Sequence, residues 1–323
     1  MLNYRTLLTV AVLCLTLGGH AAAENYPAKA IHIVVPSAAG GSADLRVRQI
    51  AKPLAERLGQ PVIVDNKPGA GGIIANAFTA RARPDGYTIL FTNRGTLPIT
   101  GHLAASLPYD TLRDFAPVTL VLMAPPGLFV SSKCPANSVA ELVALAKKQP
   151  GKLTYGSSGV GAPQHLAGAL FAHMAQIDLL HVPYKGDAEM TLDLVNNRIT
   201  MSFGAITAAL PHLKSGKLKM LAVTTRKRVA SFPNVPTIAQ SGYPDFEWIN
   251  WVGFVAPAGT PAPILAKLQQ EIKAVTNTPA MQADYRDAAY EMVNSSPQEF
   301  AAFLKRDHTY LGDVIRKIKL KVE

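Results

Sequence analysis

Three short stretches of this chain are rich in glycine, alanine and serine: "PSAAGGSAD" (Pro36 to Asp44), "PGAGG" (Pro68 to Gly72) and "YGSSGVGAPQH" (Tyr155 to His165). Such loops expose little besides backbone. Each follows an apolar run and precedes a segment with helical spacing. A helix N-terminus offers unpaired N–H groups and the positive end of the helix dipole, a setting that suits an anion. Glycines let the main chain approach a ligand closely. Ser37, Ser42, Ser157 and Ser158 add hydroxyl donors. A favourable, partly buried helix end contributes up to ~2 kcal/mol, and a hydrogen bond to a charged group ~1.5–3 kcal/mol. Micromolar binding needs about 8 kcal/mol. Two such loops acting together reach that without a buried lysine or arginine. The bland alternative is that the glycines make turns and the serines cap helices.

Covalent chemistry finds less support. "GSSGVG" approaches a nucleophile elbow, but Val160 stands where the last glycine of G-x-S-x-G belongs. A serine hydrolase using Ser158 and His165 is therefore the competing reading, and it requires a Ser–His hydrogen bond. "GVGAPQ" only partly mimics a dinucleotide loop, and no P-loop or H-E-x-x-H occurs. The histidines show no close metal-ligand spacing, so neither a cofactor nor a metal is expected. Asp44, the one acid of the first loop, reads as a first-turn carboxylate favoured by the helix dipole. Its functional alternative is selection of ligands that carry an amine.

The elements that position these loops alternate. Ile31 to Val35, "PVIVDN" and "YTILFT" are short β-branched runs. Helical spacing over Ser42 to Leu58 and Ile73 to Arg83 separates them, which implies a parallel sheet with helices on its faces. The pattern breaks at Pro125-Pro126-Gly127. A second α/β set follows, beginning with a helix that has Ser138 as N-cap and Glu141 as its capping-box partner. Trp251 to Ala256 reads as a strand crossing back, followed by helices near Pro263 to Thr276, Pro279 to Ala288 and Pro297 to Lys317. The expected fold is α/β with two lobes. Residues 24–124 and 247–323 form lobe 1, residues 125–246 form lobe 2, two segments cross between them, and a cleft lies between.

The N-terminal "MLNYRTLLTVAVLCLTLGGHAAA" has Arg5, an apolar core from Leu7 to Leu17 and a run of alanines. It reads as a signal peptide over residues 1–23, shorter in its apolar core than the ~20 residues of a membrane span. Of the 2 cysteines, Cys14 would leave with it, so only Cys134 remains. A periplasmic location is expected, since a core of this size needs no disulfide. The formal charge of +10 is scattered, with clusters only at Arg226-Lys227-Arg228 and in the tail. That argues for a solvated basic surface, not a nucleic-acid partner, and such a surface speeds encounter with anions.

Taken together, "YPAKAIHIVVPSAAGGSAD", "LGQPVIVDNKPGAGG", "PDGYTILFT", "LPYDTLRDFAPVTLV", "LAKKQPGKLTYGSSGVGAPQHLAGALF", "HVPYKG" and "VPTIAQSGYPDFE" resemble the Bug family, the periplasmic solute-binding proteins of tripartite tricarboxylate transporters. The resemblance implies a type II periplasmic binding protein fold that closes on a small organic carboxylate. It also implies partnership with the permease subunits of such a transporter. A ligand-sensing subunit for a membrane receptor would use the same cleft, and a monomer is the default expectation. Carried onto this chain, the carboxylate grip falls to Ser37, Ala38, Ala39, Gly40, Gly41 and Ser42 on one side. On the other it falls to Ser157, Ser158, Gly159 and Gly161, with His165 nearby. Tyr184, Lys185 and Gly186, with Phe203 and Gly204, would shape the remainder, and Asp44 borders the first loop. Two places depart from the family pattern. "NRGTLPIT" stands where relatives read close to G-T-H-A, which brings Asn93 and Arg94 to the pocket. Gly204-Ala205 replaces an Asp-Asn pair, which argues against an ammonium-bearing ligand and for a mono- or dicarboxylate, aromatic ones included.

Overall fold

The structure, a computed structural model, describes residues 26–287 and 289–320; the export segment expected over 1–23 lies outside the described residues. Strand β1 (Ile31–Val35) places Ile31, Ile33, Val34 and Val35 out of contact with solvent. Helix α1 (Ser42–Leu58) turns Val47, Ile50, Leu54 and Leu58 inward and stops at Gly59, whose φ of 65° is left-handed. After β2 (Val62–Asn66), α2 (Ile73–Ala80) and β3 (Thr88–Asn93), the first sheet is completed by β4 (Phe115–Ala124) and by two strands returning from far along the chain. These are β10 (Asn250–Pro257) and β11 (Glu291–Met292), and the strand order is β11-β4-β10-β3-β1-β2. The pairs β1–β2 and β1–β3 are parallel, as the βαβ pattern implies. The sheet as a whole is mixed, because β10 comes back from the other lobe and inserts antiparallel between β3 and β4.

The second sheet runs β7-β6-β8-β5-β9, from β5 (Pro126–Ser131), β6 (Thr154–Ser157), β7 (Leu180–Pro183), β8 (Met201–Ala205) and β9 (Leu218–Val223). Helices α3 (Val139–Lys148), α4 (Pro163–Ala175), α5 (Asp187–Val195) and α6 (Ile206–Lys214) connect them. The Ser138 hydroxyl accepts the Glu141 N–H at 3.1 Å, and the Glu141 carboxylate accepts the Asn137 N–H at 2.8 Å. The chain thus forms a two-lobed α/β protein with one sheet per lobe.

Helices α7 (Ala262–Thr276) and α8 (Pro279–Asp287) pack on the first lobe, and α9 (Pro297–Ile318) ends the fold. Helix α9 opens with a full capping box, Ser296 with Glu299. Its first half buries Phe300 and Leu304 against Trp251 and Leu120 of the first lobe. Its second half buries Leu311 and Val314 beside Leu166 and Phe171 of the second. With 22 residues the helix is ~33 Å long, enough to reach both cores.

At the junction of the lobes lies a buried ion pair. Arg94 is 3% exposed and Asp307 8%. The guanidinium donates to both carboxylate oxygens, at 2.7 and 3.2 Å, and the Trp251 indole N–H donates to the same carboxylate at 2.7 Å. Trp248 stacks 4.2 Å from the guanidinium carbon, and the Tyr310 hydroxyl donates to the Glu247 carbonyl at 2.6 Å. Breaking one half of such a pair strands the other charge. Asp307→Asn is expected to lower the unfolding free energy by about 3–5 kcal/mol, while Arg94→Met with Asp307→Leu recovers most of the loss. Urea denaturation of both variants checks this; a double variant no more stable than the single one contradicts it.

Candidate ligand-binding site

The first glycine loop is held from beneath. Asp44 is 1% exposed. It accepts the Gly40 N–H at 2.8 Å, the Asn66 side-chain N–H at 2.9 Å and the Arg48 Nε at 2.9–3.0 Å. These contacts, the Arg48 bond foremost, press its carboxyl down to about 2. Asp44 therefore braces the loop as a satisfied first-turn acid. Asn66 also donates to the Ser37 carbonyl at 3.1 Å. The N-cap, Gly41, has no side chain to cap the helix, so the first-turn N–H groups of α1 stay uncommitted to side chains. Ala38, Ala39, Gly40 and Ser42 are exposed, and the Ser37 hydroxyl is sealed in without a partner.

The second loop rests on a pair of histidines. The rings of His165 and His181 stack 3.7 Å apart and 3° from parallel. His181 Nε2 lies 2.7 Å from the Ser157 hydroxyl, which donates to the Gly159 carbonyl at 2.8 Å. His165 Nδ1 accepts the Gly161 N–H at 3.0 Å. Burial, and then the neighbouring His181, push His165 down to about 4; burial also lowers His181. Both rings are neutral near pH 7. The Ser158 hydroxyl turns the other way, donating to Gln164 Oε1 at 3.1 Å, and Gln164 donates on to Asp187 at 2.8 Å. The Ser158–His165 bond that a hydrolase needs is not made, because each group is spent on a different brace. Ser157 does touch a histidine, but it is fully buried. Gly161 has φ 78°, and a Cβ there would sit 2.8 Å from Leu103 of the first lobe. Helix α4 begins at Ala162 and Pro163 with no side-chain cap.

These two helix ends face one cleft. A cavity of about 500 Å³ is lined by Pro36, by Gly69 to Gly72, by Thr96 and Thr100, and from the other lobe by Ser158, Val160, Gly161 and Pro163. A smaller cavity of about 190 Å³ is lined by Ser42, Ala43, Arg46, Ala205, Asn250 and Tyr290, among others. Asn93, Gly95 and Pro163 line both, so the two cavities adjoin. The Asn93 carboxamide oxygen accepts the N–H groups of Gly95 and Thr96 at 2.9 and 3.1 Å, which sets the turn between the cavities.

The residues expected from sequence therefore fall in different places. Ser42, Asn93, Ser158 and Gly161 stand on the cavity walls. Ser157, His165 and Asp44 lie behind the loops as braces. Gly159 carries the carbonyl that binds Ser157. The Tyr184 hydroxyl donates to Asp193 at 2.9 Å, and burial together with that acid raises it to about 12. Lys185 and Gly186 lie outside both cavity walls. Phe203 is 1% exposed and packs in the second-lobe core with Phe171 and Phe246. Gly204 is buried beside Phe129, and its neighbour Ala205 lines the cleft instead. Arg94 touches the smaller cavity, but its guanidinium is engaged by Asp307. Sequence reading missed Arg46, Asn250 and Tyr290. It saw "PGAGG" as a loop at the same sheet end without assigning it to the site.

Residues 46–320 match the family described as Tripartite tricarboxylate transporter family receptor, a family of receptors and not of enzymes. The chain is similar to Protein BugT of Bordetella pertussis, 32% identical with all of both chains covered. Among solved structures it is similar to Rpa4515 of R. palustris with adipate, at TM-score 0.81 and 32% identity, covering 92% of this chain and 99% of that one. It is also similar to MatC of Rhodopseudomonas palustris with bound malate, at TM-score 0.78 and 28% identity, covering 90% and 100%.

The stacked histidines carry a pH signature. In the unfolded chain His165 takes up a proton near pH 6.5; in the folded chain it refuses one until about pH 4. Stability is therefore full above 6.5 and falls as pH drops through that window, by roughly 3 kcal/mol from this group. Asp44 acts in a separate, lower window, between its ordinary value of 3.8 and about 2. His165→Asn keeps an acceptor for the Gly161 N–H and removes the titration. Urea unfolding at pH 7, 5.5 and 4.5 should show a shallower loss for the variant than for the wild type; equal slopes would contradict this assignment.

Proposed function

Because the chain belongs to the tripartite tricarboxylate transporter receptor family, we propose that it captures a small organic mono- or dicarboxylate in the inter-lobe cleft and presents it to the permease subunits of such a transporter. The site of action is the periplasm, reached through the signal peptide over residues 1–23. One observation carries this reading: two helix N-termini without capping side chains, α1 from one lobe and α4 from the other, open onto two adjoining cavities that share Asn93, Gly95 and Pro163. Backbone donors and helix dipoles favour negative charge there. Among the described residues, the lining of both cavities contains no aspartate or glutamate. An amine-bearing ligand would find no counter-charge, whereas a carboxylate meets N–H groups and hydroxyls. The adipate and malate of the two related structures are both carboxylates.

In this reading the lobes close over the ligand, with Ser42, Asn93, Ser158 and Gly161 nearest to it. A carboxylate at a hundred times its Kd stabilises the folded chain by about 2.7 kcal/mol, a Tm rise of roughly 4 °C for a chain of this length. A thermal-shift panel of aliphatic and aromatic carboxylates, amino acids and neutral sugars tests the proposal. The expected outcome is a rise of that size with one or more carboxylates. Stabilisation by amino acids alone would overturn it.

A further inference from the structure

The smaller of the two cavities contains a cation that, among the described residues, no acid balances. Arg46 lies one helical turn after Ser42 on α1, half-buried, and lines this cavity. Its Nη2 donates to the Tyr290 hydroxyl at 3.1 Å, and its guanidinium carbon sits 4.8 Å from the Tyr290 ring centre. Among the described residues no carboxylate lies within ion-pair distance of it. Arg48, two residues on, is by contrast paired with Asp44 at 2.9 Å. A guanidinium has five N–H donors, and Tyr290 accepts from one of its nitrogens. A partly desolvated cation with spare donors is costly unless a partner reaches it.

The surrounding wall has the same character. Ala205, the N-cap of α6, has no capping side chain. Thr207, in the first turn of α6, brings its hydroxyl within 3.4 Å of the Tyr290 hydroxyl. Arg46 and Asn250 belong to the smaller cavity, whereas Ser158 and Gly161 belong to the larger one. The two cavities adjoin at Asn93, Gly95 and Pro163, which line both. An elongated ligand with an acid at each end would span them across that shared boundary.

We propose that Arg46 is a specificity residue that receives a second acidic group of the ligand, so that the cleft prefers diacids to monoacids of equal length. The inference rests on the carboxylate-binding reading above. One acid is held at the glycine loop of α4, and the other is taken by the planar fork of Arg46, which suits a carboxylate through two parallel bonds. Tyr290 holds the fork in place and, through Thr207, ties it to the second lobe. A diacid thus reaches groups on both sides of the closing cleft.

The test is calorimetric titration of wild type, Arg46→Met and Arg46→Gln with straight-chain dicarboxylates of increasing length, each paired with the monocarboxylate of the same carbon count. For wild type, the best diacid should bind about 10- to 100-fold tighter than its matched monoacid, the value of a charge-assisted contact. In both variants that ratio should collapse to within about threefold of one. A ratio unchanged in the variants, or a wild type without preference for diacids, overturns the role of Arg46 while leaving carboxylate capture intact. A wild type that binds neither kind of acid overturns the carboxylate reading itself, and this inference with it.

Discussion

The bidentate contact between Arg94 and Asp307 ties together the three parts of the chain on which the cleft depends. Arg94 follows the last residue of β3, Asp307 sits midway along α9, and Trp251, which donates to the same carboxylate, lies on the returning strand β10. The pair is dehydrated, and Arg94 Nη1 has no partner at all. Stability alone would be served as well by apolar side chains. What the pair supplies is register: the fork accepts a carboxylate in one orientation, which fixes where β3 ends relative to α9. Asn93, the next residue back, is thereby placed to organise the Gly95–Thr96 turn, and that turn forms a wall of both cavities.

A division of labour runs through the site. Nearly every strongly polar side chain near the glycine loops is committed to holding backbone. Asp44 and Asn66 secure the first loop, and the stacked histidines with Ser157 secure the second. At these loops the ligand is left to the main chain, to small hydroxyls and to dipoles, with Arg46 standing apart from them in the smaller cavity. Preorganised donors of this kind need no rearrangement when an anion arrives, which lowers the entropic cost of binding. Neutral histidines suit the task, because a charged imidazolium stack would repel itself and distort the loop it supports.

Much of the architecture was legible from local pattern. The β-branched run Ile31–Val35 and the helical spacing over Ser42–Leu58 appear in the structure with those bounds. Of the capping box expected at Ser138 and Glu141, the Ser138 half forms, while the Glu141 carboxylate takes the Asn137 N–H instead of the Ser138 N–H. Both cases depend on residues within one turn or one strand of each other. The insertion of β10 antiparallel into the first sheet was not legible, since strand sense is set by where the chain re-enters. The Arg94–Asp307 contact spans 213 residues, and no periodicity signals such a pair. In the site, glycine content marked the loops, but it did not separate Ser158, on the cavity wall, from Ser157, fully buried one residue earlier. Phe203 lies within β8 and packs into the core, whereas the cleft is lined at Ala205, where the strand ends and the next helix begins. Arg46 went unnoticed because arginine on a helix ordinarily reads as solvated surface.

The long C-terminal helix has a mechanical consequence. Its two halves are rooted in different cores, Phe300 and Leu304 in one, Leu311 and Val314 in the other. Prising the lobes straight apart would pull one half from its socket and expose those side chains, at a cost of roughly 1.5–3 kcal/mol for each that is fully uncovered. A torsion of one lobe against the other about the helix axis leaves both halves seated. The helix therefore resists straight separation of the lobes more than it resists a twist about its own axis.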